Sequence, residues 1–144
     1  MKALATLMLC LVLASCSGPF GWNTEGYVVL HDDLDTAWIA TAALEYRPDS
    51  IGGYWKSPHE TERDGGGDCE DIATYLVYRL GQKSALVLVQ ESDGSGHCIV
   101  KYNNQYLEPQ MYDVYYAVED IVITLELSYE ETMAYATHQG SKYL

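Results

Sequence analysis

Gly65-Gly66-Gly67-Asp68-Cys69-Glu70-Asp71 constrains this chain more than any other stretch. Three consecutive glycines forbid a regular element and leave a hinge. Behind them, Ile72, Leu76 and Leu80 stand at i, i+4 and i+8, with Ala73 and Val77 alongside. That spacing predicts an amphipathic helix, capped by Asp68 and ended by Gly81. Cys69 then falls in its first turn, where unpaired backbone N–H groups and the helix dipole favour the thiolate, the nucleophilic form of cysteine.

A thiol nucleophile needs a base, and the base needs an orienting group. His97 begins the strand Gly96-His97-Cys98-Ile99-Val100, and Glu108 follows in Tyr106-Leu107-Glu108-Pro109-Gln110. Asn103-Asn104 between them is a tight hairpin turn. Across such a turn residue 97 pairs near residue 110, which makes Glu108 a diagonal neighbour of His97. A carboxylate there fixes the imidazole tautomer and stabilises the imidazolium. The Gln110 amide is the alternative orienter. His31, His59 and His138 fall in an arm, a loop and a chain end, and read as structural or solvated. Alternation along the strand predicts that Cys98 points away from Cys69, as a small buried hydrophobe. A Cys69–Cys98 disulfide is the competing reading of the pair. The oxyanion hole is expected from the Cys69 N–H, with Trp55 as a side-chain donor.

Asp68, Glu70 and Asp71 surround the thiol with negative charge, which raises a thiol pKa. They are either cap and dipole partners or ligands of a hard cation. Calcium accepts such oxygens and would cancel the repulsion.

The N-terminus reads as a leader. Lys2 precedes an apolar run from Leu4 to Ala14, and Leu13-Ala14-Ser15-Cys16 places small residues before a cysteine. This resembles a bacterial lipoprotein signal over residues 1–15, with Cys16 as the lipid-bearing N-terminus. Residues 16–30 form a lipid-anchored tether, and 31–144 a single domain. Ser17 after the cysteine points to the outer membrane, facing the periplasm. A formal net charge of −13 argues against nucleic acid as a partner.

A helix from Asp32 or Asp33 to about Tyr46 is predicted, with Leu34, Trp38, Thr41 and Ala42 inward and Arg47-Pro48 as its stop. Residues 48–67 are predicted as a loop, long enough to be functional. Strands follow over Ser84–Glu91 (buried on both faces), His97–Tyr102, Gln105–Gln110 and Ile121–Leu127. Ser128-Tyr129-Glu130-Glu131 is a capping box opening a terminal helix. Helices first and antiparallel strands after make the class α+β.

Tyr54-Trp55-Lys56-Ser57-Pro58-His59-Glu60-Thr61 together with Gly66-Gly67-Asp68-Cys69-Glu70-Asp71-Ile72-Ala73 resembles the bacterial transglutaminase-like cysteine peptidases. Some of these are calcium-dependent periplasmic proteases that release surface adhesins. The resemblance implies a compact papain-like, transglutaminase-like core with the nucleophile at the N-terminus of a central helix packed on an antiparallel sheet. It implies Cys69, His97 and an acid as the triad, and Asp68 and Glu70 as calcium ligands. Glu108 stands where the family usually has Asp, and the chain is short for substrate-binding elements. The expectation is a lipid-anchored thiol hydrolase of peptide bonds, acting through an acyl-enzyme on Cys69 with a peptide or protein substrate. Acyl transfer to an amine, or a binding module of weak activity, are the alternatives.

Overall fold

The computed structural model describes residues 21–22, 28–29, 32–49, 53–111, 113–115 and 122–140. The leader, Cys16, most of the tether and His31 lie outside them. No helix among the described residues is long and apolar enough to cross a membrane. In chain order the elements are β1 (Gly21–Trp22), β2 (Val28–Val29), α1 (Leu34–Ala42), β3 (Glu45–Tyr46), α2 (Pro58–Asp64), β4 (Gly66–Gly67) and α3 (Cys69–Leu80). After a 3₁₀ turn over Gly81–Lys83 come β5 (Ser84–Gln90), β6 (Gly96–Tyr102), β7 (Gln105–Glu108), β8 (Asp113–Tyr115), β9 (Val122–Ser128) and α4 (Tyr129–Gly140).

Five strands form one antiparallel sheet in the order β8-β7-β6-β5-β9. The Asn103-Asn104 turn carries φ of 47° and 63°, the left-handed pair that a two-residue hairpin requires. It sets the register Val100↔Leu107 and Tyr102↔Gln105, which extrapolates to residue 97 opposite 110, as the sequence predicts.

Helix α3 lies on the β5–β6 part of this sheet, with α1, α2 and α4 around it. Its stripe of Ala73, Leu76, Val77 and Leu80 packs with Leu86, Cys98, Val100 and Leu107. Val87, Val89 and Ile99 are buried in a second cluster with Tyr106. Thus β5 is apolar toward both sides, as its continuous apolar run implies. Leu76 is fully buried, and truncation of such a side chain to alanine costs about 2–5 kcal/mol.

Three expectations are corrected. Helix α1 ends at Ala42 rather than near Tyr46, and Ala42 is exposed, the buried positions being Ala37 and Thr41. The chain leaves the helix to pair in parallel with the glycines: Glu45 N–H donates to Gly65 O (3.0 Å) and Arg47 N–H to Gly67 O (2.8 Å). The segment 48–67 is not loop throughout. Ser57 caps α2, with Glu60 N–H donating to Ser57 Oγ and Ser57 N–H to Glu60 Oε2, Pro58 in the first turn, and Gly65 left-handed at its end. Ser57-Pro58-His59-Glu60 is a capping box with proline at the first helical position, a signal present in the sequence and outweighed by the neighbouring glycines. Finally, β8 extends the sheet beyond β7, an element the sequence patterning does not mark.

Candidate active site

Two backbone devices bring the site together. Strand β3 runs beside Gly66-Gly67, the last residues before the nucleophile. A Cβ on Gly66 would strike the Glu45 carbonyl, and one on Gly67 the Asp71 carboxylate. The glycines are therefore there for close approach as well as for bending. The hairpin β6–β7 brings His97 and Glu108 to the N-terminal end of α3.

Cys69 is the first residue of α3 and is partly buried. Its sulfur interacts with the Cys98 thiol and the His97 imidazole, and lies 3.2 Å from Glu70 Oε2. Those hydrogen bonds, first from Cys98 and then from His97 and Glu70, outweigh burial and lower the thiol pKa to about 4. His97 is raised in turn to about 10, first by the Cys69 contact and next by Glu108. The two shifts describe one thiolate–imidazolium pair. His97 Nε2 meets Glu108 Oε2 at 2.5 Å, which leaves Nδ1 for the thiol. Glu108 is buried, and its other oxygen accepts from the Gln110 backbone N–H at 3.0 Å. The acid that contacts the imidazole is thus Glu108; Gln110 serves it through its main chain.

Cys98 does not point away from Cys69, as alternation along the strand predicts. It belongs to the helix-facing cluster with Val100, and its buried thiol is a partner of the Cys69 sulfur. Both cysteines are free thiols, so the disulfide reading is not what the structure contains. Alternation fixes the two faces of β6, but the first residue of a helix lying at the strand's start contacts both neighbours. Trp55 is no oxyanion donor either: its Nε1–H donates to Thr74 Oγ1 at 2.7 Å, beyond the first turn of α3. The remaining donor is the Cys69 N–H, which as the first amide of the helix has no intrahelical acceptor. Of the other histidines, His59 on α2 packs edge-on against Tyr78 of α3, and the His138 side chain lies outside the described set.

The acids divide into two groups. Asp49, Asp68 and Asp71 bring one oxygen each within 4.8 Å of one another. Asp71 is fully buried; Oδ1 accepts from Lys56 N–H (2.7 Å), Oδ2 from Asp68 N–H (3.4 Å), and Lys56 Nζ stands 3.5 Å away. Burial raises its pKa to about 6. Asp49 Oδ2 and Asp68 Oδ1 are buried without a hydrogen-bond partner. Orphaned carboxylate oxygens facing a third carboxylate are costly unless a cation joins them. This donor set fits a hard divalent ion such as calcium. Glu70, the other expected ligand, instead contacts Cys69 and Asp68, and burial raises its pKa to about 9. Asp49 was not singled out by sequence. It follows a proline outside any periodic element, and only the β3–β4 pairing carries it to the site. Tyr46 is a second residue missed: half-exposed on β3, it holds its proton through burial and through the negative charge of Cys69, Asp68 and Glu70.

No family model and no curated protein matches the chain. Solved structures do. Legionella pneumophila LapG matches at 22% identity and TM-score 0.56, over 65% of this chain and 62% of that one. Calcium-bound LapG matches at 22% and 0.54, and EGTA-treated LapG at 21% and 0.53, with nearly the same coverage. The aligned part therefore spans under two thirds of the LapG chain. The chain is α+β, a helix packed on an antiparallel sheet, and shares this transglutaminase-like fold with LapG.

Proposed function

We propose that the protein is a thiol hydrolase of amide bonds in peptides, working through an acyl-enzyme on Cys69. The observation that carries this is the arrangement of Cys69 at the start of α3, in contact with His97, whose far nitrogen is held by buried Glu108. The Cys69 thiolate attacks the carbonyl carbon, and the charge on its oxygen faces the Cys69 N–H. His97 gives its proton to the leaving amine as the C–N bond breaks. It then takes a proton from the water that attacks the thioester and keeps it as the C–S bond breaks and the acid departs, which restores the thiolate–imidazolium pair. Glu108 holds the ring and stabilises its charge throughout.

Calcium is part of the reading, supported by the orphaned oxygens of Asp49 and Asp68 and by the calcium-bound LapG structure of the same fold. Asp49, Asp68 and Asp71 would hold it, with Glu70 adjacent. When bound it supplies counter-charge beside the thiolate. Anchoring through lipid on Cys16 at the periplasmic face of the outer membrane belongs to the same proposal, with a protein of the cell envelope as substrate.

The test is comparison of the peptides released from envelope proteins by wild type and by Cys69→Ala. New termini present only with wild type, together with a peptide thioester trapped on Cys69, are expected. Equal peptide sets and no trapped thioester would overturn the reading. Adding a primary amine separates hydrolysis from acyl transfer, since a transamidase would release amine-capped products.

A further inference from the structure

Cys98 has no part in the chemistry above, yet it sits in the apolar cluster against which the nucleophile packs, and the two thiols influence one another there. It is 6% exposed, inside the apolar cluster against which Cys69 packs. Both thiols are reduced, and Cys69 is the more accessible of the two. A dissolved oxidant therefore reaches Cys69 first, and the oxidised sulfur has a second thiol in the cluster it packs against.

We propose that Cys69 and Cys98 form a peroxide-reactive redox site, in which Cys98 resolves oxidised Cys69 into an intramolecular disulfide. In the first step the Cys69 thiolate attacks one oxygen of a hydroperoxide. The S–O bond forms, the O–O bond breaks, and the hydroxide or alkoxide leaves and takes up a proton from hydronium or a buffer acid to become water or alcohol. In the second step the Cys98 sulfur attacks Cys69, surrendering its proton. The S–S bond forms, the S–O bond breaks, and water departs. Two thiols lose two electrons, and the peroxide is reduced by two. The disulfide blocks the nucleophile and stops its sulfenic acid from climbing to the irreversible sulfinic and sulfonic acids. A dithiol reductant reverses it by exchange. The inference rests on the packing of Cys69 against the cluster that holds Cys98 and not on the hydrolase reading.

The experiment treats the full-length reduced protein with hydrogen peroxide and maps tryptic peptides without reduction. The peptides over 64–79 and 84–101, which carry Cys69 and Cys98, are expected as one cross-linked species, and dithiothreitol should restore both thiols to alkylation. In Cys98→Ala, Cys69 should reach the sulfinic and sulfonic acids at least about tenfold faster than in wild type, beyond rescue by dithiothreitol. Equal over-oxidation in the two proteins would overturn the proposal. So would a Cys69 disulfide to Cys10, Cys16 or a second chain, or no disulfide at all. Should Cys98→Ala fail to fold, the wild-type peptide map decides alone. Activity is not read, so a failed peptidase assay leaves this result standing, and a missing disulfide leaves the hydrolase reading standing.

Discussion

Replacing Glu108 with Gln removes one charge and preserves shape. The amide oxygen can still accept from the Gln110 N–H, and the amide nitrogen then faces His97 Nε2. What disappears is a buried charge-assisted hydrogen bond of 2.5 Å. Such bonds contribute about 1.5–3 kcal/mol, equivalent to roughly 1–2 pKa units at about 1.4 kcal/mol each. His97 stands at about 10 in the native protein, with Cys69 its larger support and Glu108 the second. In Glu108→Gln it should titrate at about 8–9, still above an ordinary histidine because the thiolate remains. The assay is ¹⁵N-histidine NMR titration, with the His97 resonance assigned by its loss in His97→Ala. Stability against pH gives a second readout. A group raised in the folded state contributes fully below its unfolded pKa of 6.5, and that contribution is lost as pH rises through about 10. In the variant the loss still begins near 6.5 but should be complete roughly 1–2 units earlier, and the total loss should be smaller. An unchanged His97 titration in a folded Glu108→Gln protein would refute the claim that the carboxylate supports the imidazolium.

Alkylation of Cys69 by iodoacetamide should stay fast down to mildly acidic pH and fall only as pH drops through about 4, where the thiolate takes a proton; an inflection near 9 would mean that no ion pair forms. Cys98, whose thiol is held protonated first by the Cys69 sulfur and next by burial, should label only on unfolding. Calcium binding measured by calorimetry should be lost in Asp49→Asn and Asp68→Asn, and should weaken in wild type as pH falls through about 6, where Asp71 protonates; a full-strength signal in both variants would place any ion elsewhere. Gly66→Ala meets the Glu45 carbonyl at a φ of 154°, and should cost about 1–3 kcal/mol in urea unfolding; a neutral result would mean that β3 readily moves off the glycines. Ser57→Ala removes one half of the α2 cap and should cost about 0.5–2 kcal/mol by the same measurement.

Local chemistry accounts for what the sequence alone determines here. The α3 stripe, its Gly81 stop, the Asn103-Asn104 turn and the Ser128–Glu131 box all lie within a few residues of the structure they specify. The bounds of α3 and the register of the β6–β7 hairpin therefore follow from spacing and turn type, whereas β7 ends at Glu108 rather than Gln110 and β5 at Gln90 rather than Glu91. So does the meeting of His97 with Glu108, because a two-residue turn fixes register and register fixes diagonals. Tertiary structure decided whatever depends on the close approach of distant segments. Helix α1 ends early because its following residues hydrogen-bond to Gly65 and Gly67, an advantage no propensity encodes. Asp49 joins Asp68 and Asp71 only because that pairing delivers it. Cys98 touches Cys69 because a helix N-terminus set at a strand's start is close to both faces of the strand, while alternation describes the strand by itself. Periodicity assigns a side chain to a face of its own element; which atoms it meets across the core depends on how the elements are docked.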